Sequence, residues 1–212
     1  MLCLKVATDP QWAAQALLRV DAVLVDHAHC EMKAASNALA LAARHPEDLN
    51  LVRALTDLAR EEIDHFQRVL SLLAARAVAL GPPPVDAYAA DLRRAANERP
   101  GGGPAARLVD RLLVAALIEA RSCERFKLLS AAAAAQPAGE DRELGAFWAE
   151  LLAAEAGHYR TFVDLAERAA GGDPVDARAR VGARLEALAE VEGAIVDRLG
   201  RRAESERASI HG

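Results

Sequence analysis

Two Glu-x-x-His pairs are the residues of this chain whose types and spacing best suit chemistry. The first pair is Glu62 with His65, and the second is Glu155 with His158. Residues three positions apart lie on one face of an α-helix, so each pair can offer a carboxylate and an imidazole to one metal ion. A single pair of this kind is a weak signal, because it is more often a surface pair. Two such pairs in one chain favour a metal site.

A lone glutamate precedes each pair on an earlier helical stretch, Glu31 before the first and Glu119 before the second. Four carboxylates that converge in a protein core would repel one another, and burying each of them is costly. Two divalent cations would neutralise them. Mostly oxygen donors with one imidazole per metal suit iron or manganese better than structural zinc. This is the ligand set of ferritin-like di-iron carboxylate proteins. The predicted ligands, which would be catalytic through the metals, are Glu31, Glu62, His65, Glu119, Glu155 and His158.

Both pairs interrupt an apolar helical stripe at the same place. Around each pair, apolar residues alternate at spacings of four and three, which is typical of the inward face of a bundle helix. The stripe residues are Leu51, Leu55, Leu58, Val69 and Leu72 in one helix, and Leu144, Trp148, Leu151, Phe162 and Leu165 in the other. The two helices therefore look like an internal repeat, and both pairs are predicted to face a core.

Proline and glycine punctuation divides the chain into helices, and no run of period two predicts a strand. We expect four core helices at about 10–44, 47–80, 105–135 and 140–170, the first of them with room for one break. A short helix at about 87–97 and an extra C-terminal helix at about 175–203 complete the pattern. The predicted fold class is all-α, a ferritin-like four-helix bundle with extra flanking helices, in a single domain over 1–212.

The composition of the chain limits the classes of protein to which it can belong. The 212 residues suffice for one substantial core, and 52% of them are apolar. The net charge of −5 offers no overall basic field to nucleic acid, although a local basic face is compatible with it. Three cysteines without a C-x-x-C motif predict reduced thiols in a cytoplasmic protein. No leader and no membrane span are expected, since no charge-free apolar stretch reaches the length of a spanning helix.

Several neighbours of the predicted ligands need a separate interpretation. His27 lies one turn before Glu31, and its position favours a core role or a role beside the ligands. Cys30 and Cys123 are predicted to be small buried packing residues, because free cysteine is often buried. His29 and Glu124 lie off the inward stripes and are predicted to be exposed.

Four stretches of sequence resemble one family, the tRNA hydroxylases of the MiaE type. They are DHAHCEMKAA at 26–35, REEIDHF at 60–66, IEARSCERF at 118–126 and EAGHY at 155–159. The resemblance covers about residues 10–170, and IEARSCERF is its most specific part. Gly157 departs from the larger residue expected there, and the C-terminal helix is poorly covered.

The resemblance implies a ferritin-like non-haem di-iron monooxygenase. Members of this family hydroxylate the isopentenyl side chain of 2-methylthio-isopentenyladenosine beside the anticodon of tRNA. Their metal ligands would fall on the same six residues that helical spacing selects. The implied reaction inserts one oxygen atom of O₂ into a C–H bond at two iron ions. An external electron donor, a reductase or a ferredoxin, is implied as well.

A tRNA substrate, as opposed to DNA or a membrane, requires a basic rim around the pocket. The candidate rim residues are Lys33, Arg93, Arg94, Arg99, Arg121 and Arg125.

Three alternatives remain open. A di-iron oxidase or hydroxylase of a small molecule would have a pocket with neutral lining and no basic rim. A ferritin-like or rubrerythrin-like protein that handles iron or peroxide would form cages or carry a C-x-x-C module, and no such motif is present. A non-enzymatic bundle with a structural metal is the third alternative.

Overall fold

The computed structural model describes residues 2–9, 11–98, 103–137 and 139–209, without the side chains of 140, 141 and 202–209. Within these residues the chain forms seven α-helices and no strand, so the all-α prediction is confirmed for the described part. The helices are α1 (Gln11–Leu17), α2 (Val20–Ala43), α3 (Leu49–Ala75), α4 (Ala87–Asn97), α5 (Pro104–Ala134), α6 (Glu140–Ala170) and α7 (Pro174–Ser209). None of the described helices is both long and apolar enough to cross a bilayer.

Aspartate or proline marks the beginning of three of the long helices, α3, α5 and α7. The side chain of Asp48 accepts hydrogen bonds from the amides of Asn50 and Leu51 at 3.1 and 3.0 Å, which satisfies two free donors of the first turn of α3. Asp173 caps α7 in the same way. Proline occupies the first position of both α5 and α7, where its missing amide hydrogen costs nothing.

The end of α3 differs from the prediction. The helix stops at Ala75 and not near 80, because Ala77 adopts a positive φ of 54°. The amide of Val78 then bonds the carbonyl of Leu73 at 2.9 Å, and that of Ala77 bonds Ala74 at 3.1 Å. This is the Schellman ending, which usually carries glycine at the residue with positive φ. Because alanine and not glycine occupies that position, the sequence does not indicate that α3 ends there.

Two further boundaries depart from the expected ranges. The predicted 10–44 stretch is two helices, α1 and α2, separated by a short turn at Leu18 and Arg19, so the anticipated break is present. At the other end, α7 continues to Ser209, beyond the predicted end near 203.

The described residues fall into two compact units. The first unit lies within Met1–Asp9, Asp86–Lys127 and Leu152–Gly212, and the second within Pro10–Val85 and Leu128–Leu151. The prediction that 1–212 is a single domain stays a prediction.

Each unit has an apolar core of its own. In the second unit α2 packs against α3, and Leu24, Leu55 and Trp148 are fully buried. In the first unit α4 packs against α7, and Leu92 and Leu112 are fully buried. The helix faces that carry the predicted ligands therefore belong to well-packed elements.

Candidate metal centre

The second unit brings three of the predicted ligands together. Glu31 comes from α2, while Glu62 and His65 come from one face of α3, and all three are buried. One ligand atom of each lies within 4.8 Å of the others. The Nδ1 atom of His65 is 3.6 Å from Glu62 Oε2 and 3.8 Å from Glu31 Oε2. These residues are called the Glu31 triad below.

The first unit contains the matching set. Glu119 comes from α5, and Glu155 and His158 come from one face of α6. All three are buried, and one ligand atom of each lies within 4.8 Å of the others. The Nδ1 atom of His158 is 3.3 Å from Glu155 Oε2. This is the Glu119 triad. Each triad therefore consists of two carboxylates and one imidazole.

The apolar stripes that flank the two Glu-x-x-His pairs are buried as their spacing predicts. Nine of the ten stripe residues are in the core, and Leu72 is the exception. Leu72 is half-buried, whereas its neighbour Leu73 is buried, because α3 approaches its end there and the stripe drifts around the helix. The pairs are therefore carboxylates and imidazoles set into apolar faces, where an uncompensated charge is costly.

His27 lies directly beside the Glu31 triad. Its Nε2 atom is 2.8 Å from Glu31 Oε1, and its ring tilts against that of Trp148 with 5.7 Å between centroids. Burial raises the pKa of the Glu31 carboxyl, but the charge on His27 and hydrogen bonding with Glu62, His27 and His65 outweigh it and lower that pKa to about 2. Glu31 is thus ionised and ready to bind a cation. The predicted role of His27 beside the ligands agrees with this geometry.

The two cysteines near the ligands differ from each other. Cys123 is buried, and burial together with the charge on Glu155 raises the pKa of its thiol to about 12. It therefore stays protonated and fits the predicted packing role. Cys30 is exposed, so the prediction that it is buried is wrong. The prediction of an exposed His29 is also wrong, because α2 is buried at 27, 28, 29 and 31, on nearly all sides of that turn.

The prediction that Arg121 belongs to a basic rim is wrong, because this residue is buried. Its side chain is only 2% exposed, and it donates hydrogen bonds to the carboxylates of Glu192 and Glu124, to Thr8 Oγ1 and to the carbonyl of Val6. A guanidinium so enclosed is not on a surface that meets tRNA. Glu124, expected to be solvated, is buried in the same place. The reason is that α5 buries this second face as well as the face that carries Glu119.

The other candidate rim residues have varied surroundings. Arg93 and Arg94 are exposed on α4, and Arg94 pairs with an aspartate of its own helix. Lys33 and Arg125 are partly exposed. Arg99 lies outside the described residues.

Comparison with known proteins identifies a family whose model matches this chain. The family model described as tRNA-(MS[2]IO[6]A)-hydroxylase (MiaE) matches residues 1–204. A relative from Pseudomonas putida, named tRNA 2-(methylsulfanyl)-N(6)-isopentenyladenosine(37) hydroxylase, is 41% identical over 169 residues, or 80% of this chain and 76% of that protein. A protein of the same name from Salmonella typhimurium is 31% identical over 142 residues. That match covers 67% of this chain and about half, 48%, of the Salmonella protein.

A solved structure is similar along nearly the whole chain. It is described as protein 43 with aldehyde deformylating oxygenase activity from Synechococcus, with a TM-score of 0.78 and 39% identity. The match covers 92% of this chain and 89% of that one. With the all-helical structure, it confirms the predicted fold class, a ferritin-like four-helix bundle with extra flanking helices. The family model and the named relatives together show that this chain belongs to the MiaE family of tRNA hydroxylases.

Proposed function

We propose that this protein is an O₂-dependent monooxygenase that hydroxylates the isopentenyl side chain of 2-methylthio-isopentenyladenosine in tRNA. The observation that carries this proposal is a pair of buried Glu-Glu-His triads in a chain of the MiaE family. The family and the names of the relatives supply the substrate. The triads supply a place for the metals that oxygen insertion requires.

The proposed cofactor is a pair of iron ions, with one ion for each triad. The donors fit such a pair, because each triad offers two buried carboxylates and one imidazole within bonding range of a common ion. With neutral imidazoles, the two negative charges of a triad balance one divalent cation. Glu31, Glu62 and His65 would hold one ion, and Glu119, Glu155 and His158 would hold the other. When bound, the iron pair supplies O₂ activation, and the protein supplies position and environment.

The residues around the triads prepare them for that role. His27 holds Glu31 in its ionised form through the 2.8 Å contact between Nε2 and Oε1. Cys123 stays protonated, so it does not compete as a thiolate ligand. The apolar stripes on α3 and α6 exclude water on both sides of each Glu-x-x-His pair, which strengthens every charge interaction inside.

Electrons come from an external donor, which we propose to be a reductase or a ferredoxin. Hydroxylation of a C–H bond by O₂ places one oxygen atom in the product and releases the other as water. That stoichiometry consumes a pair of electrons and a pair of protons in each turnover. The substrate does not supply this pair, so a partner protein has to deliver it.

The direct test is hydroxylation of modified tRNA. Iron-loaded protein, a chemical or enzymatic reductant and isotopically labelled O₂ are incubated with tRNA that carries the 2-methylthio-isopentenyl group. Mass spectrometry of the nucleosides is expected to show one labelled oxygen atom in the side chain. No labelled product from tRNA, together with turnover of an aldehyde, would instead favour the activity described for the Synechococcus protein.

The exposed arginines of α4 are proposed phosphate contacts. Changing Arg93→Glu and Arg94→Glu together is expected to weaken tRNA binding and to leave the iron content unchanged. If each arginine meets one phosphate, the slope of log affinity against log salt falls by about 2. Filter binding over a salt series measures that slope.

The matched control reverses two exposed arginines of α3, Arg53→Glu and Arg60→Glu. It changes the net charge by the same amount and is expected to preserve most of the salt dependence. An equal effect of both double variants would show that tRNA binding responds to net charge alone. The arginines of α4 would then no longer be assigned as phosphate contacts.

A further inference from the structure

A buried polar cluster lies on the side of α5 that faces away from Glu119. It joins the N-terminal segment with α4, α5 and α7 inside the first unit. Its members are Val6, Thr8, Tyr88, Arg121, Glu124 and Glu192. They are called the Arg121 cluster here. The proposed function uses none of these residues.

Every N–H group of the Arg121 guanidinium has an acceptor. Nε and one Nη2 hydrogen donate to the two carboxylate oxygens of Glu192, at 2.9 Å each. The second Nη2 hydrogen donates to the Val6 carbonyl at 3.0 Å. Nη1 donates to Thr8 Oγ1 at 3.2 Å and to Glu124. The five donors that arginine carries are therefore all used.

Glu192 is equally enclosed. Its side chain is fully buried at 0% exposure, and Tyr88 donates a hydrogen bond to its Oε1 atom at 2.9 Å. Glu124 accepts from both the amide and the hydroxyl of Thr8, at 3.1 and 2.6 Å. The cluster thus fixes one arrangement of the N-terminal segment, α4 and α7 against α5.

A buried ion pair of this kind is poor evidence for stability alone. Desolvation offsets most of its attraction, and apolar residues of similar volume often stabilise a core as well or better. The two parallel hydrogen bonds between Arg121 and Glu192 instead fix the rotation of α5 relative to α7. Gly193 next to it lets the N-terminal segment come close, since a Cβ there would lie 3.0 Å from Val6 Cγ2.

The cluster lies close in sequence to a predicted metal ligand. Arg121 follows Glu119 by two positions on α5, so the two side chains leave the helix roughly 200° apart. A rotation of α5 that breaks these two hydrogen bonds on one side also displaces Glu119 relative to Glu155 and His158 on the other side. The orientation of the ligand and the integrity of the cluster are therefore mechanically linked.

We propose that Arg121 and Glu192 are positioning residues for Glu119, and that α7 serves the metal site by contributing Glu192. This inference rests on the proposed function, because it assumes that the Glu119 triad binds metal. It gives a role to the C-terminal helix, for which the sequence resemblance provides none.

The test compares two ion pairs that join the same two helices. Glu192→Gln removes the charge under Arg121, and Asp110→Asn is the control. Arg184 of α7 donates to Asp110 of α5 at 2.8 and 3.0 Å, farther along α5 from Glu119. Full-length protein is titrated with Co²⁺ as a spectroscopic probe and with Fe²⁺ under anaerobic conditions. The thermal midpoint of each variant is measured alongside.

We expect Glu192→Gln to weaken metal binding by about tenfold, the lower end of the usual loss when a residue that supports a ligand is changed. Its Co²⁺ ligand-field spectrum is expected to shift. Asp110→Asn should bind with the wild-type affinity and spectrum, whatever it does to the thermal midpoint. Should Glu192→Gln fail to fold, Tyr88→Phe removes one hydrogen bond from Glu192 and should shift the same spectrum by a smaller amount.

The outcomes separate the two proposals. Wild-type protein that binds no metal would overturn the proposed function and this inference with it. Wild-type binding with an unchanged spectrum in Glu192→Gln, or in Tyr88→Phe as its substitute, would overturn only the positioning role. Equal spectral changes in Glu192→Gln and Asp110→Asn would also overturn it, because the effect would then be general to the α5–α7 contact.

Discussion

Changing Glu62→Gln is expected to reduce tRNA hydroxylation below detection, whereas Glu61→Gln should leave it near the wild-type rate. Both substitutions replace a carboxylate by an amide of the same shape, one position apart on α3. Glu62 is buried in the Glu31 triad and Glu61 is exposed. The lost charge therefore matters only at the position that faces His65 and Glu31.

Circular dichroism and labelled-product analysis together check this pair. Both variants are expected to keep the helical spectrum, because the amide keeps the shape of the side chain and removes no apolar contact; in Glu62→Gln it also removes a buried charge. Hydroxylation by Glu62→Gln near the wild-type rate would remove Glu62 from the ligand set. Loss of hydroxylation in Glu61→Gln would show that an exposed carboxylate of α3, outside the Glu31 triad, is needed for activity.

The positions of the six candidate ligands could be predicted from sequence because burial and chemistry conflict there. A glutamate on an apolar stripe is costly without compensation, so Glu62 between Leu58 and Val69 stands out against its neighbours. The same holds for Glu155 between Leu151 and Phe162. The structure brings the residues of each half-set together, three in each unit.

Glu192 occupies a position of the same kind, and its role becomes visible only in the structure. It lies on a stripe with Leu185, Leu188 and Ile195, at spacings of three and four, and all four residues are buried. A carboxylate on an apolar stripe needs compensation, but its position alone does not distinguish a metal ion from an arginine. The lack of a histidine three positions later is the distinguishing feature.

The spacing of apolar residues does not predict which side chains are buried by contacts with other helices. Arg121 and Glu124 lie off the stripe of Glu119, so a helix α5 with one buried face would place them in solvent. They are buried because the N-terminal segment, α4 and α7 meet that second face. Ala77 likewise ends α3 with a positive φ that no local residue preference announces.

The two units hold equivalent triads, which leads to a prediction about metal content. Anaerobic reconstitution with Fe²⁺ is expected to load about two iron ions per chain, one for each triad. Changing Glu119→Ala removes one of the three donors in the first unit and leaves Glu155 and His158. Two donors bind iron poorly, so this variant should retain about one ion, held by the intact Glu31 triad, and should not hydroxylate tRNA.

Elemental analysis after desalting measures the metal content, and the matched control is Glu143→Ala. Glu143 is an exposed carboxylate of α6, so its loss removes the same charge without touching a triad and should leave two ions bound. Zinc in place of iron, or full turnover in Glu119→Ala, would contradict the ligand assignment. Loss of both ions in Glu119→Ala would contradict the assignment of one ion to each triad.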